Sequence, residues 1–340
     1  MTATKAMILG CEGTALLEDE IALFKAHQPW GLILFARNIG TADEVRSLCA
    51  SFREIVGRED APVFIDQEGG RVQRICEPIA QRYPPGAMLG AIYERDRVQG
   101  CKAAYDMSLL HAGDLLPLGI NADCLPVLDV PVPGSHDVIG DRAYGEEPQA
   151  VADMGRAAAD GLLAGGVLPV MKHIPGHGRA AVDSHEALPV VETDAKTLEE
   201  IDFAPFRQHA DLPMAMSAHV VYTAYDADNP ATTSRTVIDR VIRGFIGFNG
   251  LLMTDDLSMH ALSGDFATRT EASFAAGCDI VLHCNGVMDE MTPVAEATPY
   301  LEGKALERAV KATNLLSQPH AGTDIASVRD DFNRLIDAHA

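Results

Sequence analysis

The sequence predicts an α/β fold, a single (β/α)8 TIM-type barrel, and three observations carry that expectation. Short apolar runs alternate with longer amphipathic or Ala-rich stretches along almost the whole chain. The runs are continuous rather than alternating, as strands buried on both faces require. Eight of them occur, which is the count that closes a parallel sheet on itself. An open doubly wound sheet would not need so regular a count.

In chain order the candidate strands are 6–10 (AMILG), 31–36 (GLILFA), 62–66 (PVFID), 122–129 (ADCLPVLD), 167–173 (VLPVMKH), 213–219 (PMAMSAH), 250–256 (GLLMTDD) and 279–284 (DIVLHC). Between them lie helical stretches such as TADEVRSLCASFREIV, QAVADMGRAAADGLLAG, TLEEIDFAPFRQHA and SRTVIDRVIRGFIG. Punctuation supports several of these. Thr41 precedes a helix that opens with Asp43 and Glu44, and Gly165-Gly166 closes the helix before the fifth strand. A length of 340 residues alone suggests about two domains, but barrels of ~250 residues or more fold as one unit. No repeat, low-complexity segment or Pro/Ser-rich linker divides the chain. The expected organisation is one catalytic barrel over 1–340 with an appended C-terminal helix from about 317.

Composition narrows the function classes. Lys and Arg total 27 against 49 Asp and Glu, so the net charge is 27 − 49 = −22. Such a chain repels phosphate backbones and anionic bilayers, so neither nucleic acid nor a membrane surface is an expected partner. Seven cysteines, odd in number and never spaced C-x-x-C, argue against a disulfide framework and a Cys-rich zinc site. The N-terminus lacks the pattern of a signal peptide, and no run reaches the ~18 apolar residues of a membrane span. The expected location is the cytoplasm. No G-x-x-x-x-G-K-[ST] loop is present. Neither a cofactor nor an obligate protein partner is indicated.

Polar residues stand at telling positions. Asp66, Asp129, Lys172, His173, His219 and Asp255 each close an apolar run at its C-terminal end. In a barrel those ends converge on the mouth where active sites are built. Two segments are richest: KHIPGHGRAAVDSHEALP (172–189), a Gly/Pro-broken loop directly after a strand, and MTDDLSM (253–259), where a strand ends in adjacent carboxylates. Together they offer a group to attack or stabilise an anomeric carbon and a group to protonate a departing oxygen.

The blocks DQEGGRVQR (66–74), KHIPGHG…DSH (172–185) and TDDLSM (254–259), supported by GLILFARN (31–38) and GDRAYG (140–145), resemble the signature blocks of family 3 glycoside hydrolases. The branch they resemble is the bacterial β-N-acetylglucosaminidases of peptidoglycan recycling. They fall in order from residue 31 to about 260. The resemblance implies a retaining β-N-acetylhexosaminidase whose substrate is a small carbohydrate. That substrate is a muropeptide fragment carrying a non-reducing terminal N-acetylglucosamine on anhydro-N-acetylmuramic acid, with or without peptide. It implies Asp255 as nucleophile, His185 as general acid/base and Asp183 as its partner. Asp66, Arg74, Arg142, Lys172 and His173 fall on sugar-binding positions. Asp256 is expected to point away from Asp255, because successive strand residues face opposite sides.

Each role has a plainer counterpart. Asp255 fits a helix N-cap, Asp183 a turn, and Arg142 a surface pair with Glu146 or Glu147; Gly69-Gly70 fits a tight turn, and Arg71 an ion-pairing neighbour. A zinc hydrolase built on His173, His177, Asp183 and His185 is a rival. The Pro and Gly between His173 and His177, however, deny it the helical H-x-x-x-H geometry, so no metal is expected. Larger family 3 enzymes with an acid/base Glu on a second domain fit poorly, because the chain has the DSH block instead. Phosphorolysis on the same site and an inactive sugar-binding barrel complete the alternatives.

Overall fold

The computed structural model describes residues 4–317 and 324–339. Eight parallel strands, β1 (Lys5–Leu9), β2 (Pro29–Leu34), β3 (Val63–Ile65), β4 (Ala122–Asp123), β5 (Leu168–Ile174), β6 (Met214–Ser217), β7 (Leu251–Asp256) and β8 (Ile280–His283), pair in sequence order and close into a barrel. Closure is by β8 on β1, with Met7 opposite Val281 and Leu9 opposite His283. The eight candidate runs are the eight barrel strands, displaced by a residue or two at their ends. The fourth differs most. Pro126 has no N–H to give, and only Ala122–Asp123 forms a regular ladder. Beyond it the chain still runs beside β5, with Val127 bridging Lys172 and Leu128 N–H donating to the Lys172 carbonyl at 2.8 Å. Residues 127–129 therefore still reach the mouth.

Strand alternation sorts side chains between two compartments. Ile8, Ile33, Phe64, Cys124, Val170, Met216, Met253 and Leu282 fill the barrel interior. Met7, Leu9, Leu32, Leu34, Val63 and Ile65 point outward, against helix α1 (Glu18–His27) and helix α2 (Ala42–Val56). Thr41 caps α2 as its sequence suggests: its Oγ1 accepts the Glu44 N–H at 3.3 Å and its own N–H donates to Glu44 Oε2 at 2.7 Å.

Helix α4 (Arg97–Leu115) packs against α5 (Pro148–Gly165), with the shorter α3 (Gly86–Arg95) beside them. The contact of α4 with α5 is close because α5 presents glycine to it. A Cβ at Gly161 would stand 2.3 Å from the Tyr105 carbonyl oxygen. Gly161→Ala gains about 1 kcal/mol of helix propensity, but the two helices must part to seat the methyl. Overpacking outweighs the gain, and we expect a net loss of about 1–3 kcal/mol, read as a lowered Tm with no change in KM.

The sequence expectation of an appended helix from about 317 partly falls on residues 318–323, outside the described residues. Beyond them Ile325–Asp337 is helical, and Arg329 bonds to Asp114 at 2.7 Å and to the Tyr83 hydroxyl at 2.9 Å. No helix among the described residues is long and apolar enough to cross a membrane.

Candidate active site

The polar strand ends meet at the carboxyl end of the barrel. Phe35, Asp66, Arg74, Arg142, Lys172, His173, His185, Met216 and Asp255 line one cavity there. Seven of the eight residues singled out as a site therefore share a single space. The eighth, Asp183, stands behind His185.

One wall is an ionic lattice. Asp66, the residue after β3, accepts from Arg74 Nη2 at 3.0 Å and from Lys172 Nζ at 2.9 Å. Lys172 also lies 2.6 Å from Glu68, whose two oxygens take Arg142 Nε and Nη2 at 2.8 Å each. Burial would raise the acids and lower the bases, but mutual attraction wins on both sides. The Asp66 carboxyl is held well below its usual range, Glu68 is held down to about 2, and Arg142 and Lys172 are pushed up. Three cations against two carboxylates leave this wall net positive and rich in donors. A hydroxyl or an acetyl oxygen finds partners there. Phe35 packs on it, with the Arg74 guanidinium 5.3 Å from its ring centre.

Arg142 thus pairs with Glu68 and not with Glu146 or Glu147. Glu68 is a member of the site that the sequence does not mark, because an acid in a Gly-rich turn carries no periodic signal. Its placement comes from the hairpin Gln67–Gly69 with Val72–Gln73, turned by Gly69 (φ 97°) and Gly70 (φ 57°). The tight turn expected of the two glycines is present, and a Cβ on Gly69 would meet the Pro84 carbonyl oxygen at 2.3 Å. Arg71 pairs with Asp141 at 2.9 Å.

Glu68→Gln removes one carboxylate from the lattice, and we expect KM to rise about tenfold or more as Lys172 and Arg142 lose their fixed positions. It also changes the response to acid. The folded Glu68 carboxyl (about 2) lies below its ordinary 4.5, so its stabilising share is present above that ordinary value and is lost as pH falls toward 2. Urea unfolding between pH 5 and 2, roughly that window, is expected to show a shallower loss of stability in the variant than in the wild type.

Opposite the lattice, β7 delivers Asp255. Among the described residues it forms no ion pair, and its one hydrogen bond is from the Asp256 N–H to Oδ1 at 2.8 Å. It is the helix-cap reading that fails here, since that bond is to its immediate neighbour. Burial would raise the Asp255 carboxyl, yet the nearby His173, His219 and His185 rings and that amide hold it below its usual value. Asp256 also borders the cavity, since β7 shifts register between Met253 and Asp256 and strict alternation does not run to its end, but its carboxylate is taken up by neighbours. Its Oδ1 accepts the Cys284 and Ser258 N–H groups at 3.1 and 3.0 Å, and its Oδ2 accepts the Ser258 hydroxyl at 2.5 Å. His219, just past β6, secures the same strand end. Its Nε2 meets the Asp256 carbonyl at 3.0 Å, so it donates there, and its Nδ1 meets the Thr232 hydroxyl at 2.7 Å.

The third part is the loop after β5. His185 is exposed (66%) and its Nδ1 lies 2.7 Å from Asp183 Oδ1, which also accepts the His185 N–H at 2.9 Å. Burial pushes the Asp183 carboxyl up, but these contacts outweigh it and leave it lowered. Asp183 is a turn residue as well, accepting from the Glu186 and Ala187 N–H groups. It is at once a turn residue and the hydrogen-bond partner of the His185 ring. The loop leaves the barrel through Gly176 (φ 145°), a conformation that favours glycine. Among the described residues no three His, Cys, Asp or Glu side chains are grouped as a metal ion requires.

An unpaired carboxylate and an imidazole–carboxylate couple at one donor-rich cavity, at the mouth of a β/α barrel, are the kinds of group with which enzymes cleave glycosidic bonds. Comparison with known proteins fixes which of them. Residues 5–318 match the glycosyl hydrolase family 3 N terminal domain, and the chain belongs to glycoside hydrolase family 3. Similar relatives include the beta-hexosaminidase of Alkalilimnicola ehrlichii, 40% identical over 283 residues that cover 82% of this chain and 80% of the relative. Another is the beta-hexosaminidase of Aromatoleum aromaticum, 37% identical over 82% of this chain and 79% of its own. Among solved structures, NagZ from Neisseria gonorrhoeae in complex with N-trifluoroacetyl-D-glucosamine superposes with a TM-score of 0.86 at 30% identity, covering 98% of each chain.

Proposed function

We propose that the protein is a cytoplasmic retaining β-N-acetylhexosaminidase. Its substrates are peptidoglycan fragments, N-acetylglucosamine on 1,6-anhydro-N-acetylmuramic acid with or without peptide, from which it removes the non-reducing terminal sugar. The observation that carries this reading is Asp255, an ionised carboxylate with no cation partner among the described residues, facing the same cavity as His185. The relatives named beta-hexosaminidase and the neighbour holding an N-acylglucosamine support the sugar.

In the first step Asp255 attacks the anomeric carbon and His185 protonates the leaving oxygen. With Nδ1 turned to Asp183, the mobile proton sits on Nε2. In the second step water attacks the glycosyl–Asp255 ester, and the same imidazole takes the water's proton, so configuration is retained. Asp66, Arg74, Arg142, Lys172 and His173 hold the sugar hydroxyls and the acetamido group. A neutral imidazole, unlike a carboxylate base, does not repel an incoming anion, so phosphate is a conceivable acceptor in place of water.

The test is trapping with a 2-deoxy-2-fluoro-type glycosyl inactivator followed by peptide mapping in phosphate-free buffer. A label on Asp255 is expected; a label on any other residue overturns the mechanism. Wild-type turnover in phosphate buffer is expected to release free sugar. Glycosyl phosphate as the main product would make the protein a phosphorylase. No turnover at all would leave a sugar-binding barrel.

A further inference from the structure

Asp129 takes no direct part in the bond cleavage, yet it touches both halves of the site. It is fully buried beside β5, just past Leu128. Its two oxygens are divided between partners. Oδ2 lies 2.7 Å from His173 Nδ1. Oδ1 accepts two backbone N–H groups, from His173 at 3.1 Å and from His177 at 2.6 Å.

His177 stands where the loop leaves the barrel. Its ring Nε2 lies 3.2 Å from the hydroxyl of Ser184, the residue between Asp183 and His185. Ser184 is buried although His185 beside it is exposed, and its carbonyl accepts the Ala261 N–H at 3.2 Å. The Tyr222 hydroxyl donates to the Gly176 carbonyl at 2.5 Å, tying down the same turn. One carboxylate therefore reaches the cavity through the His173 ring, and reaches the loop through the His177 amide and ring.

We propose that Asp129 is a positioning residue that fixes the tautomer of His173 and anchors the root of the loop bearing Asp183 and His185. The chemistry of the contacts dictates the tautomer. An ionised carboxylate only accepts, and although burial opposes ionisation, the His173 ring and the surrounding donors hold the Asp129 carboxyl down to about 2. Nδ1 of His173 must then carry its proton toward Asp129. Its Nε2 makes no hydrogen bond among the described residues, and the ring lines the cavity with Asp255. A flipped tautomer presents the opposite hydrogen-bonding character to whatever occupies that cavity.

Asp129→Asn tests this with little change in volume. The two backbone N–H groups require an oxygen at Oδ1, so the amide nitrogen faces His173 Nδ1. Two donors cannot meet there, and the ring proton moves to Nε2. This is the logic by which an Asp-to-Asn change in a hydrolytic triad inverts its histidine.

The experiment uses the full chain with 15N-labelled histidine. Ring NMR is expected to show His173 protonated at Nδ1 in the wild type and at Nε2 only in Asp129→Asn. With an aryl N-acetyl-β-glucosaminide, kcat/KM is expected to fall about 100-fold, the scale of one charge-assisted hydrogen bond. In a His173→Ala background the same change is expected to cost no more than a few-fold, because the ring whose proton it sets is gone while the Asn oxygen still accepts from the loop amide. A full loss that persists in that background overturns the proposal, as does wild-type activity in Asp129→Asn. If the variant does not fold, the wild-type spectrum still decides: a His173 ring protonated at Nε2 alone refutes the assignment. The kinetic arm rests on the glycosidase reading and the spectrum does not, so failure of the two is told apart.

Discussion

Asp255→Asn is expected to lower kcat/KM by about 10⁴-fold or more, the largest effect of any single substitution in the chain. The amide keeps the volume, and its oxygen can still accept the Asp256 N–H that Oδ1 now accepts at 2.8 Å. What it lacks is the charge that attacks the anomeric carbon and stabilises the oxocarbenium-like transition state. Because no ion pair is broken among the described residues, the variant should fold with a Tm near that of the wild type. Asp256→Asn is the control. Its carboxylate accepts three hydrogen bonds, from the Cys284 and Ser258 N–H groups and the Ser258 hydroxyl, so its loss is expected mainly in stability. If the two substitutions exchanged these effects, the assignment of the nucleophile would be wrong. The direction of the Asp255 shift adds a pH expectation. The folded carboxyl titrates below its usual range, so the acid limb of kcat/KM should lie below the ordinary carboxylate pKa of about 4.

The contrast between Asp255 and Asp256 also marks how far the sequence can be read. The convergence of Asp66, Lys172, His173 and Asp255 at one mouth follows from their places at strand ends, but which of the two adjacent acids stays unpaired does not, because β7 shifts register between Met253 and Asp256 and both acids border the cavity. The eight runs and their order were legible because strands buried on both faces must be continuously apolar. Glu68 was not legible, because its partner Arg142 is 74 positions away and the two meet only once the hairpin at Gly69-Gly70 folds over the barrel end. Arg142 illustrates the same limit from the other side. Local sequence offers it Glu146 and Glu147, but the buried Glu68 takes the guanidinium with both oxygens. Asp129 stands out as a polar residue ending an apolar run, yet nothing in ADCLPVLD reveals that it serves the amide and ring of His173 on β5 and the amide of His177 in the loop beyond. The early end of β4, short of Pro126, is foreseeable from proline chemistry. The chain's continued path beside β5, which keeps Asp129 at the mouth, depends on tertiary pairing.

Replacement of His185 by alanine is expected to show an effect that depends on the leaving group. A general acid contributes typically 10²–10⁴-fold, but only where the departing oxygen needs a proton. With an alkyl or sugar aglycone, kcat/KM should fall by about that factor. With a dinitrophenyl glycoside the leaving group is stable as an anion, and the first step should slow less than about tenfold. The second step still needs a base to deprotonate water, so the glycosyl–Asp255 ester should accumulate. A pre-steady-state burst of phenolate, followed by slow turnover, is the expected signature. Azide requires no base, so adding it should restore turnover and give a β-glycosyl azide with retained configuration. Asp183→Ala should follow the same pattern with a smaller amplitude, because it removes the carboxylate oxygen that receives His185 Nδ1 at 2.7 Å while leaving the imidazole in place. His185 is two-thirds exposed, so its loss should hardly move the Tm, and a kinetic defect cannot be charged to misfolding. Equal losses across all leaving groups, with neither burst nor azide rescue, would mean that the proton comes from elsewhere in the cavity. His173 would then be the next group to replace, since its ring is the other imidazole that lines the same space as Asp255.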